Sequence, residues 1–256
     1  MKLYHRDFGG EGEPPVVILH GLLGSSRNWI GVGRGLSRHF RVFGLDLPNH
    51  GESPHGFGFR YKDLAEAVLG WLDDFGLEKV VLLGHSLGGK TAMLLACEHP
   101  ERVESLIVAD ISPRAKEPDY ADAVAALSRL PLDEIETRTE ADRILAENVS
   151  SKLTRQFLLT NLVRSESGKW RWLADVPGWS ENIDETGRAP LAENDRYEGP
   201  ALWIAGGESH YVLIEDHDLI RKHFPKAEIE VFEKSGHNPH IDEGERFVES
   251  VRAFLQ

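Results

Sequence analysis

The stretch Lys79-Val80-Val81-Leu82-Leu83-Gly84-His85-Ser86-Leu87-Gly88 decides the fold. Lys79 to Leu83 is a short, β-branched apolar run and reads as a buried strand. A helix follows from about Leu87 to His99 and is closed by Pro100. Between them, Gly84-His85-Ser86-Leu87-Gly88 has the G-x-S-x-G spacing of a sharp strand-to-helix turn that exposes a serine hydroxyl above a sheet. The bend is strained and crowded, and glycines on either side keep side chains out of it. The helix directs its positive N-terminus at the serine, which favours negative charge developing there. The bare pattern also occurs in ordinary glycine turns. The flanking strand and helix are what make Ser86 the expected nucleophile.

Working outward, the same alternation repeats. Val16 to His20 and Arg41 to Asp46 precede the elbow strand, and Leu106 to Asp110 follows it. Tyr61 to Phe75 reads as a helix with Leu64, Val68, Leu69 and Leu72 on one face, stopped by Gly76. Strand signals return at Ala201–Ala205 and Glu228–Phe232, joined by a helix over Ile214–His223, and a last helix runs from about Glu243 to Phe254. Apolar strands separated by helices predict an α/β fold, a mostly parallel twisted sheet covered by helices on both faces. The alternation breaks between Ile111 and Glu198. Helical patterns there cover Tyr120–Leu130, Thr139–Val149 and Leu153–Val163, followed by Trp170, Trp172 and Trp179 among glycines, prolines and charges. No strand stands out. The expected organisation is a core of residues 1–111 and 199–256 with a helical cap, 112–198, inserted in it.

Composition bounds the partners. The chain has 256 residues, enough for one buried core with an insertion, and 41% hydrophobic residues, as in ordinary globular proteins. With 29 basic and 42 acidic residues its net charge is −13, a poor match for nucleic acid or an anionic membrane surface. The single cysteine, Cys97, allows no intramolecular disulfide and sits in an apolar helical run, so it reads as a core residue. No stretch reaches the roughly 18 apolar residues of a membrane span. Met1 to Asp7 lacks the apolar segment of a signal peptide, and the expected location is the cytoplasm.

The remaining chemistry is read from position. His20-Gly21-Leu22-Leu23-Gly24 follows the first strand signal, where a turn can supply one backbone N–H to an oxyanion while the residue after the nucleophile supplies the other. That nominates the amides of Leu22 and Leu87, with Leu23 beside them as a pocket wall. The alternative is a generic strand-ending turn. Among 12 histidines, His237 is the expected base, because Ser235-Gly236-His237 follows the last strand signal and keeps the chain order serine, acid, histidine. His240 is its rival, and His85 lies inside the elbow. His217 stands between Asp216 and Asp218, yet no histidine shows a metal-ligand spacing, so no metal is expected.

The acid departs from the usual place. The loop after Ala201–Ala205 reads Gly206-Gly207-Glu208-Ser209, with serine where aspartate is expected. Asp110, at the end of the strand after the elbow helix, can reach the same imidazole and is preferred, with Glu208 as the alternative acid. Otherwise Asp110 caps the start of the insertion.

His20-Gly21-Leu22-Leu23-Gly24-Ser25, Asp46-Leu47-Pro48-Asn49-His50-Gly51-Glu52-Ser53, Gly84-His85-Ser86-Leu87-Gly88-Gly89-Lys90, Asp110-Ile111-Ser112-Pro113 and Gln156-Phe157-Leu158-Leu159 together resemble the YbfF-type esterase group of the α/β-hydrolase superfamily. The group has a eukaryotic relative in alpha/beta-hydrolase domain-containing protein eleven. The resemblance covers nearly the whole chain. It implies the α/β-hydrolase fold, hydrolysis of carboxylic esters or thioesters, the acid on Asp110 and a helical cap over the site. Pro48 departs from the group, which carries arginine there, and so removes a cation from that loop.

These residues predict acyl transfer to Ser86, with His237 as general base and then general acid, and release by water, without metal or cofactor. The expected partner is a small acyl ester or thioester of short to medium chain. Phe157, Trp170, Trp172 and Trp179 either line the pocket or pack the cap's own core. Arg114 and Lys116 either attract an anionic leaving group or form a solvated helix start. Haloperoxidase or carbon–carbon bond hydrolase chemistry on the same triad is the nearest alternative. A silent ligand-binding module is the alternative of another class, although such proteins typically lose the serine or the histidine. Dehalogenases and epoxide hydrolases need aspartate at the elbow, and Ser86 excludes them.

Overall fold

A seven-stranded sheet runs through the molecule, which a computed structural model describes over residues 2–256. In chain order the strands and helices of the first half are β1 (His5–Gly9), β2 (Val16–Leu19), α1 (Ile30–Leu36), β3 (Val42–Leu45), α2 (Tyr61–Asp74), β4 (Val80–His85), α3 (Leu87–Glu98) and β5 (Val103–Ala109). The segment before the next sheet strand holds α4 (Ala121–Ser128), α5 (Arg138–Leu145), α6 (Lys152–Leu158), β6 (Leu162–Arg164), β7 (Trp170–Trp172) and α7 (Val176–Glu181). The chain ends with β8 (Ala201–Gly206), α8 (Asp216–His223), β9 (Ala227–Phe232), α9 (Pro239–Asp242) and α10 (Gly244–Leu255).

The sheet order is β1-β3-β2-β4-β5-β8-β9, parallel except for β1, which pairs antiparallel with β3. The strand that leads into Ser86, β4, is therefore central, with β2 on one side and β5 on the other. The alternating faces of the central strands separate two apolar layers. Val17, Leu19, Leu82, Leu106 and Val108 pack under α2 and α3, while Val16, Ile18, Val81, Leu83 and Ile107 pack with residues of α1 and α10. Burying both faces explains why these strands read as unbroken apolar runs. Each fully buried Leu, Ile or Val contributes about 1.5–3 kcal/mol, so this double layer anchors the carboxyl ends of the central strands.

Six of these elements, β1, α1, β6, β7, α7 and α9, escaped the sequence reading. β1 is half-buried and polar, and α1 holds three glycines in seven residues (Gly31, Gly33, Gly35), so neither carries a strong pattern. β6 and β7 form a two-stranded antiparallel hairpin inside the inserted segment. The helix expected over 153–163 ends at Leu158, turns through a short 3₁₀ segment, and yields to this hairpin. The buried side chains of the segment, among them Leu127, Leu145 and Leu158, belong to the same apolar cluster as the α2–α3 face of the sheet. The segment thus lies on the core instead of packing around a separate centre.

Candidate active site

Ser86 stands between β4 and α3 with φ 50° and ψ −115°. A Cβ on Gly84 would collide with the Gly88 carbonyl, and one on Gly88 with the Leu19 carbonyl, so the elbow closes only with glycine at both positions. Four described non-glycine residues have positive φ: Leu23 at 55°, Asn49 at 63°, Ser86 at 50° and Asp110 at 47°. Such strain persists only where the surroundings over-determine it. Three of these four residues belong to the site predicted from sequence.

Asp110 lies just past β5, fully buried. Its Oδ2 accepts from Nδ1 of His237 at 2.8 Å and from the hydroxyl of Ser209, and its Oδ1 accepts from the Gly206 N–H at 2.8 Å. The carboxylate thus fixes which ring nitrogen of His237 carries the proton. His237 sits in the loop after β9, its ring stacked on Tyr211 with centroids 3.7 Å apart. Nε2 of His85 donates to the His237 carbonyl at 2.7 Å, bracing that loop from the elbow. Burial holds His85 well below the usual histidine range, and the nearby His237 adds to the effect. Glu208, the alternative acid, is exposed and makes no side-chain hydrogen bond to the imidazole. His240, the rival base, is buried with its ring stacked on Trp29 at 4.1 Å, and burial pushes its pKa down to about 3.

The first loop forms a tight turn in which Gly24 N–H donates to Gly21 O at 2.9 Å. Leu22 and Leu23 are its central residues, which leaves the Leu22 N–H free of the turn's own hydrogen bond. Leu87 is the first residue of α3, so its N–H has no intrahelical partner. Two supports hold the turn. Nδ1 of His20 donates to Gly21 O at 2.8 Å while its Nε2 accepts from the Leu47 N–H at 3.0 Å. Nδ2 of Asn161 reaches out of the inserted segment to donate to Leu23 O at 2.7 Å. Neither support was foreseen; Asn161 in particular has no local pattern to mark it.

Ser86, His237, Leu22 and Leu87 line one cavity of about 390 Å³ together with Phe157, Tyr61, Lys90 and Lys116. The other expected wall residues lie elsewhere. Leu23 is buried behind the turn. Trp179 is fully buried, packed on Phe59 at 4.8 Å and His50 at 5.1 Å, so it seats the inserted segment on the loop after β3. Trp170 lies in the hairpin, with the Arg164 guanidinium 3.7 Å from its ring centroid. Trp172 ends the same hairpin, half-buried against the core cluster. Arg114 is committed to Asp216 at 2.8 Å and to the His210 carbonyl at 2.8 Å, and it does not line the cavity. Lys116 does, paired with Asp119 and 3.8 Å from the Tyr211 ring centroid. Cys97 is half-buried, and burial pushes its thiol up to about 12. Among the described residues no group of three or more His, Cys, Asp or Glu is arranged to hold a metal, and no helix is long and apolar enough to cross a membrane.

A strained serine elbow, a buried aspartate–histidine pair and a facing backbone turn, all at the carboxyl ends of a parallel sheet, define the α/β-hydrolase class. The chain belongs to the family described as alpha/beta hydrolase fold, which it matches over residues 14–244. Among curated relatives it is 37% identical over 250 residues to a mouse protein named sn-1-specific diacylglycerol lipase ABHD11, covering 94% of this chain and 81% of that one. It is 30% identical to the Escherichia coli protein named Esterase YbfF, covering 94% and 92%. Among solved structures, one titled marine microorganism esterase superposes with a TM-score of 0.94 at 34% identity, covering 99% of both chains.

Proposed function

We propose that this chain is a serine hydrolase that cleaves small carboxylic esters or thioesters of short to medium acyl length through an acyl-Ser86 intermediate. The observation that carries the reading is the hydrogen bond of 2.8 Å between buried Asp110 and Nδ1 of His237, made where His237 shares a cavity with Ser86. With Nδ1 committed to Asp110, Nε2 of His237 is the face left for proton transfer. It takes the Ser86 proton as Oγ attacks the substrate carbonyl carbon. The N–H groups of Leu22 and Leu87 hold the oxyanion, and His237 then protonates the departing alcohol or thiol. Water, deprotonated by the same Nε2, attacks the acyl-enzyme and releases the acid. Residues 112–198 act as the cap, with Phe157 on the pocket wall. The acidic charge and the single thiol support a cytoplasmic protein whose partners are small molecules.

Labelling by a fluorophosphonate probe, together with p-nitrophenyl esters of graded acyl length and acyl-CoA thioesters, tests this reading. The expected result is covalent labelling at Ser86 and turnover that is highest for short to medium chains. A folded protein that is neither labelled nor active on any ester or thioester would overturn it.

A further inference from the structure

Lys90 follows Ser86 by one turn of α3, its N–H donating to Ser86 O at 3.0 Å, so the two residues share a helix face. It is only 2% exposed, yet it lines the catalytic cavity. Nζ gives one hydrogen bond, to the Arg188 carbonyl at 2.7 Å, and lies 5.5 Å from the Tyr61 ring centroid. An ammonium has three donors, and the Tyr61 hydroxyl donates to the Thr186 carbonyl at 2.7 Å.

Among the described residues no anion offsets this charge. Burial, and after it the cations Arg114 and Lys116, push its pKa down to about 8. The acids that line the same cavity are engaged or in solvent: Asp119 pairs with Lys116, Asp242 accepts from the Gly236 N–H at 3.0 Å, and Glu117 is exposed. A neutral donor would tie down the Arg188 carbonyl equally well without desolvating a charge. A buried, unpaired ammonium is costly, and a ligand that brings the missing negative charge removes the cost.

We propose that Lys90 is a specificity residue that receives the free carboxylate of the ester being cleaved. The inference rests on the ester-hydrolase reading above and narrows its substrates to short esters carrying a carboxylate. That group is either on the acyl side, as in a half-ester of a dicarboxylic acid, or on the alcohol side, as in an acylated hydroxy acid. The net charge of −13 does not oppose this. Beyond the Debye length of about 8 Å at physiological salt the distributed acidic charge is screened, whereas a carboxylate in the cavity meets Lys90 directly.

The experiment compares kcat/KM for two pairs: monoethyl glutarate against ethyl pentanoate, and O-acetylglycolate against ethyl acetate. Each is measured in the wild type and in Lys90→Met, across pH. In one pair the carboxylate ester is preferred by the wild type, and Lys90→Met lowers the ratio of carboxylate to neutral ester by about tenfold or more, as expected for losing a charged hydrogen bond. In the wild type, kcat/KM for that carboxylate ester falls as pH rises through about 8, where Lys90 loses its proton, and the neutral ester lacks this limb. The wild-type profile keeps the test independent of how well the variant folds. Ser86-dependent turnover of the neutral esters, with equal alkaline profiles and ratios unmoved by Lys90→Met, would overturn the role of Lys90 and leave the ester-hydrolase reading standing. Absence of all turnover and of Ser86 labelling would overturn both.

Discussion

The hydroxyl of Ser209 donates to Oδ2 of Asp110, the same oxygen that accepts Nδ1–H of His237. Ser209 occupies the loop after β8 where this fold commonly carries its acid, so the two alternative acid positions converge on one oxygen. The carboxylate lies just past the end of β5, and Ser209 orients it through a neutral hydroxyl.

This arrangement predicts a division of effects. Asp110→Asn should lower kcat by about 10²–10⁴-fold through loss of the correct imidazole tautomer, while Glu208→Gln should cost less than about tenfold. Adding Ser209→Asp to Asp110→Asn should return at least about tenfold of the lost kcat, because it restores a carboxylate next to Nδ1. Steady-state kcat for the three variants checks this. A large loss at Glu208 with a mild one at Asp110 would reverse the assignment.

Asn161 ties the inserted segment to the Gly21–Gly24 turn through Leu23 O. Asn161→Asp keeps the shape but cannot donate to that carbonyl. It should lower kcat by about tenfold, a fraction of the 10²–10³ that loss of an oxyanion donor costs, with KM changed less than kcat. Rates normalised to fluorophosphonate-titrated sites separate this from simple unfolding. An unchanged kcat would leave Asn161 with a packing role only.

The aromatic residues of the insertion divide between two jobs. Trp179→Ala should cost about 3–5 kcal/mol of stability, as for other buried aromatics, because it removes the ring between His50 and Phe59. Phe157→Ala should instead raise KM for longer acyl chains with little change in the urea midpoint. Urea denaturation and a chain-length series read the two effects separately, and the reverse pattern would refute the division.

Much of the fold and site was legible because it depends on local rules. The elbow needs Gly84, Ser86 and Gly88 in fixed spacing, and β2, β4, β5 and β8 are buried on both faces, so both leave a signal in the chain. The same holds for His237, which follows a strand at a predictable place. What stayed hidden depends on contacts distant in sequence. Asn161 is 138 residues from Leu23, and its role exists only once the segment folds back. Whether Trp170 and Trp179 line the pocket or pack the inserted segment stayed open in the sequence, because a tryptophan's size does not reveal which way it faces. The β6–β7 hairpin has strands of three residues each, too short for an alternation to show.

Burial holds His20, His50, His85 and His240 below the ordinary histidine value of about 6.5, and His240 at about 3. Their folded pKa values are depressed, so between the folded and unfolded values the unfolded chain binds more protons. Stability from these groups is complete above about pH 6.5 and is lost as pH falls below it, by up to about 1.4 kcal/mol per pH unit for each neutral histidine. Thermal midpoints between pH 7 and 5 should therefore fall, and less steeply in His240→Phe, which keeps the stacking on Trp29. A slope unaffected by that substitution would contradict the burial argument for His240.

Intact-protein mass spectrometry of enzyme quenched during turnover of a slow ester asks directly whether Ser86 carries the acyl group. The expected result is a mass increase equal to one acyl group in the wild type, located on the peptide containing Ser86. Folded Ser86→Ala should show no adduct, with kcat reduced about 10⁴-fold or more. An adduct on another residue, or near-normal ester turnover by folded Ser86→Ala, would contradict it.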